Sequence, residues 1–356
     1  MPRPTLAPAR SALAALAAPV ALVALFVAAA CHSNGAAAPA PARLGSPAPD
    51  TAAIRRDVFY LASDALAGRG TGTPGNDSAA TYVARRYAAL GLAPCAGDRA
   101  ATPASRPFTP GCASYFQPFG VRERGDTSRL AEVAARNVVA LVRGRDPRLR
   151  DEYVVVGAHY DHLGRSGLRS LDPWLGDTAI RNGADDNASG TAALLDLARL
   201  VARRPTRRTV VFAAFGAEEL GVLGARHFVE HPPVPLDRVR AMLDLDMVGR
   251  LRDDRVIVHG AAPGMAALLD TVGATLGLRV ESDADASGVS DHAPFHARGV
   301  PALHFTTGLH DDYHRATDDA EKIDVAGEGR IVALAERVLR ALADRETPVA
   351  VKVSMK

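Results

Sequence analysis

Candidate metal-binding side chains, which are histidines or carboxylates, occur in five separated stretches of this 356-residue chain. The stretches are EYVVVGAHYD with His159 and Asp161, NGADDNASG with Asp185 and Asp186, FGAEELG with Glu218 and Glu219, MLDLDMVG with Asp244 and Asp246, and DDYHRATDD with His314. Imidazole nitrogens and carboxylate oxygens together suit Zn²⁺, whereas sites made entirely of oxygen suit Mg²⁺ or Ca²⁺. The side chains therefore indicate a zinc site if the fold brings them together.

Each stretch also has a structural interpretation when it is taken alone. A His-x-Asp pair is often a hydrogen-bonded pair of the surface or core. A Glu-Glu pair before a helix can serve the helix dipole, and Asp-Asp-Asn can cap a helix. Metal binding is favoured because all five stretches follow one another beside predicted strand ends.

The pattern of apolar and polar residues from Arg136 onward predicts the strands and helices that position these side chains. Short apolar runs alternate with helical stretches; the runs are NVVALVRG, EYVVVGAHYD, RTVVFAAFGAEE, VRAMLDLDMVG, RVIVHGA and VPALHFTTG. This pattern predicts an α/β fold with a mainly parallel mixed sheet between helices. We expect helices over 187–203, 220–230, 262–277, 290–297 and 327–344. Functional groups of such folds collect beyond the carboxyl ends of the strands, where the candidate ligands occur.

Spacing within two of the motifs indicates a division of roles. His159 and Asp161 are two residues apart on a strand and point to the same face, so one can bind metal while the other orients it. Glu218 and Glu219 are adjacent and point in different directions. One of these glutamates can bind metal while its neighbour reaches a metal-bound water.

Six motifs resemble the secreted bacterial leucyl aminopeptidase-like family of co-catalytic dizinc metallopeptidases. They are GAHYDHLG, NGADDNASG, FGAEELGVLGA, LDLDMVG, SDHAPF and YH-x-x-x-D, and the resemblance covers about residues 130–340. The stretch DVFYLASDALAGRGTGTPGNDSAATYVARRYAALGL is similar to the lead-in of exported members. The resemblance implies the dizinc exopeptidase fold, two Zn²⁺ per chain, and aminopeptidase activity on peptides with a free amino terminus.

The same resemblance implies which side chains bind metal. His159 and Asp246 would bind one zinc ion, Glu219 and His314 would bind the other, and Asp186 would bridge both. Two Zn²⁺ ions carry four positive charges, which these three carboxylates and a bridging hydroxide would balance.

Catalytic roles follow from the resemblance for three further residues. Glu218 would be the general base that takes the proton of the metal-bridging water, and Asp161 would fix the His159 imidazole. Tyr313 would hydrogen-bond the developing oxyanion, or it is a packed surface residue. We expect seven other histidines to be surface or satisfied core residues: His162, His227, His231, His259, His296, His304 and His310.

The first fifty residues predict export. Arg3 and Arg10 precede the uncharged residues 11–30, which end in small residues before Cys31. This layout resembles a bacterial lipoprotein signal (1–30) with Cys31 as the lipid-bearing residue, followed by a tether (31–50). A plain secretory signal or a retained anchor helix is the alternative. We expect a lipid-anchored location in the cell envelope, in the outer membrane facing the periplasm or the cell surface.

The exported part divides into a helical segment with a loop (51–125), packed on a dizinc peptidase domain (126–348). Residues 51–93 have helical periodicity interrupted at the glycine-rich 68–75. Cys95 and Cys112 lie in the loop and either pair as a disulfide in an oxidising compartment or are separate buried thiols.

Composition excludes other classes of protein. The chain is 47% hydrophobic and 23% charged, which excludes disorder and a multispanning membrane protein. Lys and Arg total 42 against 40 Asp and Glu, and the first thirty residues hold two of the cations and no acid. The remainder is neutral and has no basic run, so nucleic acid is not an expected partner.

Other functions share the predicted ligands. A glutaminyl cyclase or a dizinc carboxypeptidase of the same fold is possible because the metal ligands overlap. A non-catalytic, lipid-tethered binding protein is a third alternative. Two intact ligand sets favour hydrolysis over the cyclase and the binding protein. Residues 165–181, which contain Trp174, are a candidate pocket rim or a packing segment.

Overall fold

A mixed β-sheet is the centre of the computed structural model, which describes residues 48–96, 114–122 and 132–347. Its strands are β1 (Ala93–Pro94), β2 (Phe116–Arg122), β3 (Glu132–Val142), β4 (Tyr153–His159), β5 (Thr209–Phe215), β6 (Val239–Leu245), β7 (Arg255–His259), β8 (Arg279–Ser282) and β9 (Ala302–Thr306). The spatial order is β1-β3-β5-β4-β6-β9-β7-β8, and β2 also pairs with β3. Strands β5, β4, β6 and β9 are parallel neighbours, whereas β3 and β7 join them antiparallel. The predicted mainly parallel mixed sheet is confirmed.

Helices cover both faces of the sheet. They are α1 (Thr51–Leu61), α2 (Pro74–Ala89), α3 (Gly190–Arg203), α4 (Leu223–Glu230), α5 (Pro263–Thr275), α6 (His292–Ala297) and α7 (Val325–Ala343). Buried residues of α1, α2, α3, α5 and α7 share one apolar cluster, and those of α4 and α6 share another. The five expected helices are confirmed. Helix α3 begins three residues late because the backbone of Asp186 and Asn187 is not helical.

The central strands are apolar because both of their sides are covered. All seven residues of β4 and all seven of β5 are buried. In β5, Phe212 belongs to the cluster under α3 and Phe215 to the cluster under α4, so alternate side chains pack on opposite faces. This two-sided burial explains why these strands appear in the sequence as continuous apolar runs.

The segment before the sheet contributes both helices and a strand. Helices α1 and α2 are confirmed on either side of the break, where Gly68 and Gly72 have positive φ. Strand β2 then pairs antiparallel with β3 from Phe116↔Val138 to Arg122↔Glu132. The predicted boundary at residue 126 therefore falls between two paired strands.

Several predictions from the termini and the loop fall outside the described residues. The signal and Cys31 belong to residues 1–47, which are not described, and so does most of the tether; the chain divides into the units Met1–Gly45 and Ser46–Lys356. Cys95 is buried and Cys112 is not described, so their pairing stays a prediction. In the described part of the chain, no helix is both long enough and apolar enough to cross a membrane.

A buried arginine joins the N-terminal helices to the loops at the sheet edge. Arg69 is 0% exposed, and its guanidinium donates to the backbone carbonyls of Leu61, Tyr160, Asn182 and Gly183. Burial lowers the pKa of Arg69 to about 10, so the side chain remains charged at neutral pH. One side chain therefore holds the end of α1, the residue after β4, and the loop before α3.

Replacing Arg69 tests this connection. We expect Arg69→Met to lower the free energy of unfolding by at least about 3 kcal/mol, because four buried carbonyls lose their donor. Urea unfolding followed by circular dichroism measures the change. Arg85→Met, at an exposed position of α2, is the matched control and should stay within about 0.5 kcal/mol of the parent. Equal losses in the two variants would contradict the role of Arg69.

Candidate metal centre

Parallel pairing brings the candidate ligands to one edge of the sheet. Strand β4 ends at His159, which is opposite Phe215 at the end of β5, and Gly157 is opposite Asp244 in β6. Asp246 follows β6 directly, and Glu219 lies four residues beyond β5. The carboxyl ends of parallel strands meet at the same edge, so side chains distant in sequence become neighbours.

The five predicted metal ligands form two adjoining groups. His159 Nε2 lies 3.3 Å from Asp246 Oδ1 and 3.3 Å from Asp186 Oδ1. His314 Nε2 lies 3.2 Å from Asp186 Oδ2 and 3.4 Å from Glu219 Oε2. The two oxygens of Asp186 therefore face two different imidazoles, as a bridging carboxylate requires.

The backbone orients both imidazoles of this cluster. His159 Nδ1 lies 3.2 Å from the carbonyl oxygen of Asp161, and His314 Nδ1 lies 3.0 Å from that of Arg169. A hydrogen on Nδ1 satisfies each carbonyl and leaves Nε2 directed at the carboxylates, where it can bind metal once it has lost its own hydrogen. Metal-binding histidines are usually held in this way.

The donor set fits zinc. Side chains of the cluster are at least 85% buried, the most exposed being Asp246 and His314 at 15%. The ligand atoms of His159, Asp186 and Asp246 lie within 4.8 Å of one another. In the second group, His314 Nε2 lies 3.2 Å from Asp186 and 3.4 Å from Glu219. A mixture of imidazole nitrogen and carboxylate oxygen at such spacing suits Zn²⁺.

Without metal, the carboxylates of the cluster raise the pKa of both imidazoles. Burial disfavours charge on the histidines, but hydrogen bonding to Asp186 outweighs it and raises the pKa of His314 to about 9. For His159, burial is likewise outweighed by the carboxylates, led by Asp246, which raise its pKa well above the usual value. A bound cation must therefore displace protons from these imidazoles.

Glu218 lies beside the cluster and has the properties of a base. Burial raises the pKa of its carboxyl well above the usual value, His159 opposes this, and Glu219 adds to it. Its backbone N–H donates to Asp161 Oδ1 at 3.0 Å. Glu218 is therefore held at its backbone while its side chain remains available for proton transfer.

Asp161 acts on a different partner from the one expected. The carboxylate oxygen Oδ1 of Asp161 lies 3.9 Å from His159 Nδ1, whereas the backbone carbonyl oxygen of Asp161 lies 3.2 Å from the same nitrogen. The carboxylate instead accepts from the Glu218 N–H and, at 3.0 Å, from Thr71 Oγ1. The expectation that this carboxylate fixes His159 is thus corrected, because nearer donors on two other loops take its oxygens.

The loops at the sheet edge turn sharply where they present these side chains. Ala217 (φ 58°) precedes Glu218, Met247 (φ 58°) follows Asp246, and His314 itself has φ 54°. This left-handed conformation costs a side-chain-bearing residue about 1–2 kcal/mol. Such strain concentrates at functional sites, where the surrounding structure compensates for it.

Two neighbouring aspartates support the bridging residue. Asp318 Oδ2 accepts from the backbone N–H groups of Asp185 and Asp186 at 2.9 and 3.1 Å. Asp185 accepts from Gly249 N at 2.7 Å and Ser189 Oγ at 3.0 Å, so it anchors the loop, whereas Asp186 faces the imidazoles. The structure therefore distinguishes the two adjacent aspartates.

Tyr313 and the segment 165–181 lie beside His314. The Tyr313 ring stacks on the His314 ring with centroids 3.9 Å apart, and burial raises the pKa of Tyr313, so the phenol keeps its proton and can donate. The N–H of Leu171 donates to the carbonyl of His314 at 2.9 Å. Trp174 in the same segment is 74% exposed, which agrees with a position at a rim.

Sequence reasoning missed two contacts to the ligands. His162, expected to be a surface or core residue, has Nδ1 2.7 Å from Glu219 Oε1. Ser290 Oγ donates to Asp246 Oδ2 at 2.7 Å. The signal for His162 was its position three residues after His159, at the same strand end.

Comparisons of sequence identify relatives among the peptidases. Aminopeptidase YwaD of Bacillus subtilis (strain 168) is 29% identical over 236 residues, which are 62% of this chain and 48% of YwaD. Leupeptin-inactivating enzyme 1 of Streptomyces exfoliatus is 30% identical over 190 residues, which are 52% of this chain and 38% of that enzyme. The chain thus spans less than half the length of each of these two relatives.

Solved structures share the fold. The aminopeptidase from Aneurinibacillus sp. strain AM-1 has a TM-score of 0.63 at 17% identity, covering 85% of this chain and 96% of that one. A glutaminyl cyclase from Porphyromonas gingivalis has a TM-score of 0.64 at 18% identity, covering 82% and 98%. The model of peptidase family M28 matches residues 137–339, more than half of the chain. The chain therefore belongs to peptidase family M28.

Proposed function

We propose that this protein is a zinc-dependent aminopeptidase that holds two zinc ions per chain and removes N-terminal residues from peptides. The observation that carries the proposal is the division of the Asp186 oxygens between His159 at 3.3 Å and His314 at 3.2 Å. It creates two ligand sets that share one carboxylate. Family membership and the name of YwaD, an aminopeptidase, support the reaction class.

The residues around the two sets have complementary roles in peptide hydrolysis. Zinc ions bound there would lower the pKa of a coordinated water toward about 7 and would polarise the scissile carbonyl. Glu218, which neither set requires, accepts a proton and delivers it to the leaving amine. Asp161 holds the backbone of Glu218, and the Tyr313 phenol donates to the oxyanion.

The charge of the site favours a free amino terminus as the recognised group. Glu218 and Asp246 place two carboxyl groups beside the cluster, and 15% of the Asp246 side chain is exposed. A substrate ammonium group would pair with these carboxylates, and their charge would repel a substrate carboxylate. This supports an aminopeptidase of the leucyl aminopeptidase-like type over a carboxypeptidase.

We further infer that the protein is exported and attached to the cell envelope through a lipid on Cys31. Support comes from the sequence: residues 11–30 carry no charge and end in small residues before the cysteine. The Pro- and Ala-rich residues that follow would act as a tether. The membrane would then contact the protein through the lipid.

A matched set of peptides tests the reaction. A peptide with a free amino terminus should lose its first residue, and the same peptide with an acetylated terminus should remain intact, with products identified by mass spectrometry. Release of a C-terminal residue would contradict the aminopeptidase assignment. So would conversion of an N-terminal glutamine to a pyroglutamyl group without peptide-bond cleavage, which is the cyclase reaction.

Glu218→Gln tests the general base. We expect the variant to keep its zinc and to lose turnover by about 10²–10⁴-fold, because the amide cannot accept the proton. Zinc content is measured by atomic emission and turnover with an aminoacyl fluorogenic substrate. Glu230→Gln, at the exposed end of α4, is the control. Near-normal turnover in Glu218→Gln would show that another residue is the base.

Proton release tests the coupling between metal and imidazoles. At pH 7 the raised pKa values of His159 and His314 mean that both are charged before metal binds. Zinc requires both in the uncharged form, so we expect release of about two protons per chain from them. Zinc titration calorimetry of metal-free protein in buffers of different ionisation enthalpy counts these protons. Binding without proton release would contradict the prediction.

A further inference from the structure

A third histidine, His162, contacts two carboxylates of the cluster. Its Nδ1 lies 2.7 Å from Glu219 Oε1 and 3.8 Å from Asp186 Oδ2, and its side chain is 0% exposed. The other carboxylate oxygen, Glu219 Oε2, faces His314 Nε2 at 3.4 Å. The two oxygens of Glu219 therefore have separate partners.

The orientation of His162 differs from that of the two other histidines. His159 and His314 present Nε2 to the carboxylates and have Nδ1 held by a carbonyl oxygen. His162 presents Nδ1, and its Nε2 is buried without a hydrogen-bond partner among the residues that the structure describes. Metal-binding histidines almost always donate their second ring nitrogen to a partner, so this arrangement argues against His162 as a zinc ligand.

A hydrogen on Nδ1 accounts for the contact. That tautomer donates to Glu219 Oε1 and leaves a lone pair on the unpartnered Nε2. The opposite tautomer would bring a lone pair against a carboxylate oxygen and would bury an N–H without an acceptor, which costs about 1–3 kcal/mol.

The other terminal carboxylate is arranged in the same way. Ser290 Oγ donates to Asp246 Oδ2 at 2.7 Å, and Asp246 Oδ1 faces His159 Nε2 at 3.3 Å. On both sides of Asp186, a donor therefore occupies one oxygen of the carboxylate and the second oxygen faces the ligand set.

Packing fixes the His162 ring in place. Gly183, with φ 56°, lies so close that a Cβ there would be 2.4 Å from His162 Cγ and Cδ2. Arg69 donates to the carbonyl of the same glycine at 2.9 Å. The His162 ring therefore packs against the backbone of Gly183, which Arg69 holds in place.

We propose that His162 is a positioning residue that donates a hydrogen bond from Nδ1 to Glu219 Oε1 and so directs Oε2 of Glu219 toward the second zinc ion. This inference rests on the proposed two-zinc function. Without the donor, Glu219 can rotate about its side-chain bonds, and the second site loses an ordered ligand. The first site, made by His159, Asp186 and Asp246, keeps its own contacts.

Two replacements separate hydrogen bonding from metal binding. The side-chain amide nitrogen of His162→Asn can take the place of Nδ1, whereas His162→Leu has no donor. We expect the leucine variant to bind the second zinc about 10–100-fold more weakly, and the asparagine variant to stay within about threefold of the parent. Competition with a zinc chelator measures both affinities. His296→Asn in α6 is the control.

Cobalt substitution gives a readout that is independent of activity. Visible absorption of the Co²⁺-loaded protein should be the same in the parent and in His162→Asn, because no nitrogen ligand is lost. If His162→Leu does not fold, His162→Gln replaces it, since its amide nitrogen extends toward the position of Nε2 and should not rescue the second site.

The outcomes distinguish this inference from the proposed function. A parent protein that binds fewer than two zinc ions overturns both. A parent with two zinc ions and a leucine variant of equal affinity overturns the positioning role alone. Loss of the second metal together with a changed cobalt spectrum in His162→Asn would make His162 a ligand and would also overturn it.

Discussion

One carboxylate, Asp186, is the constraint on which the rest of the site depends. Its two oxygens must face two imidazoles that come from distant parts of the chain, one at the end of β4 and one in the loop after β9. The chain satisfies this with a loop held at its backbone by Asp318, which in turn pairs with Arg250 at 3.1 Å. Because the supporting bonds reach the backbone of Asp186, its side-chain oxygens remain available for the cluster.

The sheet supplies the precision that this arrangement needs. Strands β5, β4, β6 and β9 are parallel neighbours, so their carboxyl ends fix four loops relative to one another within a buried framework. The unfavourable backbone at Ala217, Met247 and His314 is confined to these loops. Apolar burial on both faces of the strands offsets the cost of that strain and of gathering several carboxylates.

Sequence predicted the parts of the site that are local in the chain. Apolar runs that end in acids and histidines located candidate residues and the strands beneath them, and the resemblance to a dizinc peptidase family singled out His159, Asp186, Glu219 and Asp246. Contacts between loops could not be predicted, because they depend on tertiary packing: the turn of Asp161 toward Glu218, and the approach of His162 to Glu219. Strand β8 was missed because its four residues, RVES, lie at an edge, where alternate positions are exposed and charged.

The buried Arg69 shows that the N-terminal segment supports the loops of the cluster, which the family match alone does not reveal. The match to family M28 begins at residue 137, yet the guanidinium that holds Asn182 and Gly183, and the hydroxyl of Thr71 on Asp161, come from sixty or more residues earlier. Residues 137–339 therefore match the family but do not contain all of the side chains that support the cluster. Proteolysis between α2 and β3 followed by loss of the N-terminal piece would remove part of the foundation of the metal centre.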